Sequence, residues 1–213
     1  KLKGADNQTD IYGVVFRPPS FSPDNHYPIV EYSASMRNLS AQPQGAFALG
    51  TFMGALYYLP AALAALGFIV VMIDGRGTPL RNKAFQDHQH GELEYTSDLN
   101  DRIAGIRQLA KRYPYMDIKR VGITAIEGQT NAIYGLLHHA DFYSVVVDHQ
   151  MGDPRYNAAS LGETDDGTVD KAIINNSTYP EDYLDYFNGK LFIIQGMVSV
   201  TAPSTFRFIE ALQ

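Results

Sequence analysis

The run Phe68–Ile73 (FIVVMI) is six consecutive apolar residues, preceded by Gly67 and closed by Asp74-Gly75-Arg76-Gly77. A strand with no polar residue on either face must be covered on both, as a central strand of a parallel sheet is. It is far too short to cross a bilayer, which takes roughly 20 apolar residues. The longer stretch Ala61–Ile73 is interrupted by Gly67. The rest of the chain therefore has to supply layers on both sides of this strand.

The remaining pattern supplies them. Ile11–Arg17 (IYGVVFR) reads as a strand closed by Pro18-Pro19, and residues 18–28 carry four prolines, which is loop chemistry. Pro28–Tyr32 (PIVEY) is a second short strand. Residues 33–50 are small, polar and rich in Gly and Ala, and no element is assigned to them. Phe52–Leu66 reads as a helix with Pro60 as a start or kink and Gly67 as its cap. Asp98–Arg112 places Ile103, Ile106 and Leu109 at helical spacing. Strands are expected at Val121–Thr124, Tyr143–Val147 and Leu191–Ile194, with helices at Asn131–His139 and Ser204–Leu212. This alternation predicts an α/β fold, a mostly parallel doubly wound sheet in a single domain over residues 1–213. Ligands of such sheets bind at the carboxyl ends of strands. Chemistry is therefore sought at residues 32–36, 74–77, 125–130, 148–153 and 195–201.

Composition removes several function classes. At 45% hydrophobic residues the chain is not disordered. A net charge of −6 with no basic run argues against nucleic-acid binding. Without Cys there are no disulfides, thiol nucleophiles or thiolate metal sites. Asp74-Gly75-Arg76-Gly77 lacks the spacing of a phosphate loop, and its expected role is a tight turn in which Asp74 and Arg76 tie loops together. Asp165-Asp166-Gly167 lacks the ligand series of a calcium loop. His138 and His139 are adjacent on a helix and do not share a face. No cofactor and no metal are expected. No targeting signal is visible, so the compartment is not legible.

Five segments, DIYGVVFRPPSF (10–21), YPIVEY (27–32), ALAALGFIVVMIDGRGTPLRNKAFQD (62–87), DRIAGIRQLAKRYPYMDIKRVGIT (101–124) and DPRYNAA (153–159), resemble the catalytic domain of the prolyl oligopeptidase family in its dipeptidyl-peptidase branch. The resemblance implies an α/β-hydrolase fold and serine-peptidase ancestry. It also implies a gating β-propeller in full-length members, and a periplasmic, secreted or cytoplasmic setting. This chain shows no propeller repeats, and relative to the family it is expected to lack the last strand and helix.

Residue by residue, the family's machinery does not carry over. Its G-x-S-x-G elbow follows the VGIT strand. Here Ala125-Ile126-Glu127-Gly128-Gln129-Thr130 puts Glu127, or Ile126 in a shorter elbow, at the nucleophile position. The family's acid position, after the LFII strand, holds Ser199. The oxyanion Tyr position aligns with Ser33, with Tyr32 one place early and so on the opposite face of the strand. The family's base His has no counterpart. Four such losses imply a catalytically degenerate domain that acts by binding a peptide or protein partner. The alternative is an active serine peptidase or esterase whose sequence here is incomplete or altered. A third reading is a carboxylate-dependent site from Glu127, Gly128, Asp148, His149 and Asp153. Against it stand ordinary roles: Asp148 and Asp153 as loop and helix-cap residues, His149 as a satisfied polar group. With no strand beyond it, LFII would be a sheet edge, expected to be covered by a second copy, another chain or further residues.

Overall fold

The computed structural model describes residues 1–33, 52–79, 81–89, 98–125, 131–151, 179–199 and 201–213. The chain forms two compact units, Lys1–His90 with Ser97–Ile123, and Gly91–Thr96 with Thr124–Gln213.

In the first unit, β1 (Leu2–Lys3), β2 (Asp10–Phe16), β3 (Tyr27–Ser33), β4 (Ile69–Asp74) and β5 (Met116–Ala125) lie in the order β1-β2-β4-β3-β5. The apolar run is the pivot. All six residues of β4 are buried. β2 pairs with it antiparallel, Tyr12 opposite Asp74, and β3 pairs parallel, Ile29 opposite Ile69. Helices α1 (Phe52–Ala65), α2 (Lys83–Gln86) and α3 (Leu99–Arg112) follow in chain order. α3 buries Ile103, Ile106 and Leu109, the stripe that its spacing forecasts.

The turn after β4 is fixed by one ion pair. Asp101 on α3 has a fully buried side chain and takes the Arg76 guanidinium as a fork, Nε to Oδ2 at 2.8 Å and Nη2 to Oδ1 at 2.8 Å. The backbone N–H groups of Arg76 (2.9 Å) and Ala5 (2.8 Å) donate to the same carboxylate. Gly75 is needed because a Cβ there would lie 2.6 Å from Asp98 Cβ, and Gly77 because its φ is +107°. The expected role of Arg76 as a loop tie is thus met through α3.

The second unit holds α4 (Asn131–His138), β6 (Val145–His149), β7 (Lys190–Ile194) and α5 (Ala202–Ala211), with a 3-10 segment at Pro180–Tyr186. β6 and β7 are parallel, Asp148 beside Ile193. Leu191 and Ile193 pack on a core of Ile133, Tyr134, Leu137, Met151 and Phe208. The alternate residues Phe192 and Ile194 are 62% and 43% exposed.

Several boundaries differ from the sequence reading. β5 starts at Met116 rather than Val121, because pairing carries it through the polar stretch Asp117–Arg120 that has no apolar pattern. The strand expected at Tyr143–Val147 lies at Val145–His149, so Asp148 is a buried strand residue and not a loop or cap residue, and His149 is its exposed last residue. Pro60 lies within an unbroken α1. β1, α2 and the 3-10 segments at Asp87–Gln89 and Pro180–Tyr186 are too short to leave a periodic signal.

Asp101 makes a direct stability prediction. Burial by itself pushes its carboxyl up, but the Arg76 fork and two backbone donors outweigh that and hold it below the ordinary carboxylate value. Breaking one half of a buried pair costs about 3 kcal/mol or more. Asp101→Asn is expected to lower the urea unfolding free energy by about that amount. The parent is expected to lose stability as pH falls from the ordinary carboxylate value through the lowered Asp101 pKa, whereas the variant lacks this loss.

Candidate functional site

The carboxyl end of β3 is occupied by a buried polar knot. Arg102, 1% exposed, projects from α3 and places Nη1 2.7 Å from Glu31 Oε1. The same nitrogen donates to Ser33 Oγ at 2.6 Å. Arg102 Nε lies 3.4 Å from Asp98 Oδ2, one helical turn earlier. Glu31, Ser33 and Asp98 are all buried. Glu31 and Ser33 are two apart on β3 and so share a face, which lets a single guanidinium reach both. Ser33 Oγ thus accepts from a core arginine. Sequence reasoning missed Arg102, yet a signal was present: a cation sits on the apolar stripe between Leu99 and Ile106.

The carboxyl ends of β6 and β7 build the polar loops of the second unit. Asp148 is fully buried, and neither carboxylate oxygen has a hydrogen-bond partner among the described residues. Burial raises its pKa from the ordinary carboxylate value to about 7. It shares a face with buried Val146 and, across the parallel pair, with Ile193, so the carboxyl is set among apolar groups. His149 points the other way and is exposed. Gln150 has a positive φ of 64° and donates its backbone N–H to the Ile194 carbonyl at 2.8 Å.

Ser199 sits in a hydroxyl and amide network. Its Oγ is 2.9 Å from Thr201 Oγ1 and donates to Gln150 Oε1 at 3.4 Å. Gln195 accepts from Thr205 Oγ1 at 2.6 Å and reaches Thr201 Oγ1 at 3.4 Å through Nε2. Gln150, Gln195, Thr201 and Thr205 were not singled out in the sequence, where isolated Gln and Thr residues carry no pattern. Ile126, Glu127, Gly128 and Asp153 lie outside the described residues, as do Asp165–Gly167. Among the described residues no group of three His, Asp or Glu side chains is arranged to hold a metal ion. No helix among them is long and apolar enough to cross a membrane.

The family model "Prolyl oligopeptidase family" matches residues 55–213. The chain belongs to the prolyl oligopeptidase family. Relatives within and around it agree. Human dipeptidyl peptidase 8 is 29% identical over 141 residues, 64% of this chain and 15% of that protein. The mouse protein of the same name is 28% identical over the same extent. The fold matches Porphyromonas gingivalis dipeptidyl peptidase 4 with a TM-score of 0.68 at 21% identity, covering 100% of this chain and 29% of that one. It matches Pyrococcus horikoshii acylaminoacyl peptidase with a TM-score of 0.72 at 15% identity, covering 99% and 34%. The chain spans under a fifth of the curated relatives' length and about a third of the structural neighbours'. The expected α/β-hydrolase fold and the dipeptidyl-peptidase-like character are both borne out.

Within this prolyl-oligopeptidase fold, Asp148 predicts an unusual pH dependence. A carboxyl whose pKa is raised on folding binds a proton as the chain folds. Its contribution is therefore favourable at acid pH and is lost as pH rises from about 4 to about 7. Asp148→Asn removes the ionisation. At pH 8 the variant is expected to exceed the parent by up to about 4 kcal/mol, and at pH 4 to match it, by urea unfolding.

Proposed function

We propose that this chain is a catalytically degenerate domain of the prolyl oligopeptidase family that acts by binding a peptide or protein partner. The observation that carries the reading is the connection between β5, which ends at Ala125, and α4, which begins at Asn131. In the family this strand-to-helix turn presents the nucleophile. Here it reads Ile126-Glu127-Gly128-Gln129-Thr130, with no Ser and a single hydroxyl, Thr130, directly before the helix. A carboxylate at that place cannot serve as a Ser-type acyl acceptor activated by His.

Two further features support it. The aligned oxyanion position, Ser33, is a short side chain buried against Arg102, whereas an oxyanion donor must reach the reacting carbonyl. The aligned acid position is Ser199, whose hydroxyl is held by Thr201 and Gln150 and cannot carry the charge that stabilises an imidazolium. Binding is favoured over a purely structural role by the apolar side chains left in solvent on and after β7. Phe192, Ile194, Met197 and Val198 are all exposed.

A fluorophosphonate probe followed by intact-mass spectrometry tests the reading. No adduct on the 23.6 kDa chain is expected, and no release of chromophore from a dipeptidyl-proline nitroanilide. A stoichiometric adduct at a single hydroxyl, with turnover, overturns the proposal in favour of an active serine peptidase or esterase. Turnover without an adduct that disappears in Glu127→Gln favours instead a carboxylate-dependent hydrolase.

A further inference from the structure

We propose that the first unit carries a binding site for a compact amphipathic carboxylate, an aromatic or branched acid of benzoate size, between β2 and the C-terminal end of α3. The site goes beyond the proposed function and does not depend on it. A cavity of about 190 Å³ opens there. Val15 and Val71, directly opposite each other on β2 and β4, and Leu109 contribute its apolar lining, and Arg17, Arg112 and Tyr113 its polar one. A cavity of about 150 Å³ is enough for benzene, so the volume suits one small ring or a branched chain with its carboxylate at the mouth.

The charge at the mouth selects an anion. Arg17 is held in place by three rings, its guanidinium carbon 4.8 Å from the Phe21 centroid, 5.2 Å from Tyr115 and 5.9 Å from Tyr113. Its Nη2 donates to Tyr115 Oη at 2.8 Å. One bond of this kind leaves most of the guanidinium's five N–H donors for a ligand. The rings that hold it are themselves locked, Tyr113 stacked on Tyr115 at 5.4 Å and Phe21 edge-on to Tyr115 at 4.8 Å. A pre-oriented arginine loses little entropy on binding, which is what a specific anion contact requires. Arg112, the last residue of α3, is exposed and makes no hydrogen bond or ion pair among the described residues.

Lys1 also lines the cavity, but its ammonium is matched by Asp10 at 2.7 Å, and Asp10 is shared with Lys3 at 2.6 Å. The C-terminal pole of α3 is negative and opposes an anion. The two guanidiniums are therefore what make the mouth cationic, in a chain whose net charge is −6. An apolar lining that shares its cavity with two arginines fits neither a bare inorganic anion, which gains nothing from the lining, nor a neutral ring, which gains nothing from the arginines.

The test is titration of the full chain with sodium benzoate, followed by saturation-transfer NMR and calorimetry. Benzamide, of the same shape without charge, and inorganic phosphate, charged without a ring, serve as the comparison probes. Saturable benzoate binding is expected, with benzamide and phosphate each at least tenfold weaker. Arg17→Ala with Arg112→Ala is expected to weaken benzoate at least tenfold. Arg112→Ala alone alters an exposed side chain, keeps the fold, and is expected to weaken it by threefold or more. Absence of benzoate binding overturns the proposal. So does equal binding of phosphate or benzamide, or unchanged affinity in Arg112→Ala and in a double variant that retains the parent circular dichroism.

Discussion

The buried guanidinium of Arg102 is the interaction on which the reading of this domain depends. One side chain on α3 gathers Glu31, Ser33 and Asp98, and so fastens the first helix turn of α3 to the end of β3. Charges taken out of water are tolerated only with close partners, and their loss one at a time is costly. Such a cluster therefore fixes geometry rather than adding much net stability. Here it fixes the carboxyl end of β3, the kind of strand end at which ligands of such sheets bind. The same helix holds the neighbouring turn through Asp101 and Arg76, so two adjacent residues of α3 tie down the carboxyl ends of β3 and β4. Strand ends that are free to host chemistry in this architecture are here committed to internal ion pairing.

The second unit solves a different problem. β6 carries next to its last residue a buried carboxyl, Asp148, with no donor among the described residues, and β7 leads into a loop of Ser, Thr and Gln that hydrogen-bond one another. Neutral hydrogen-bonded amides and hydroxyls cost little to bury, whereas an isolated carboxylate is costly unless it stays protonated. Ser199 belongs to a loop whose polar groups close on themselves. Asp148 is the exception, and its raised pKa is how the fold accommodates it.

Much of the fold was legible because its strongest signals are local. Phe68–Ile73 has no polar residue and could only be central, and Ile103, Ile106 and Leu109 repeat at helical spacing over a long window. The first half of β5 was not legible, because Asp117–Arg120 forms a strand through pairing and not through its own pattern. The shift of β6 by two residues mattered more, since it moved Asp148 from a supposed loop into the core. That residues 126–130 contain no Ser is read directly from residue types. The partners of Ser33 and Ser199 are not. The contacts of Ser33 with Arg102 link positions 69 residues apart, and those of Ser199 with Gln150 link positions 49 apart, which no spacing rule connects.

The most direct measurement pairs two readouts on one variant, Arg102→Met, against the parent. Urea unfolding reports the structural role, and hydrolysis of a dipeptidyl-proline nitroanilide reports any catalytic one. A structural knot in a domain without chemistry predicts a loss of about 3 kcal/mol or more, with no turnover in either protein. Turnover by the parent that disappears in Arg102→Met at unchanged stability would contradict the account, because Arg102 would then be serving a reaction rather than holding the fold.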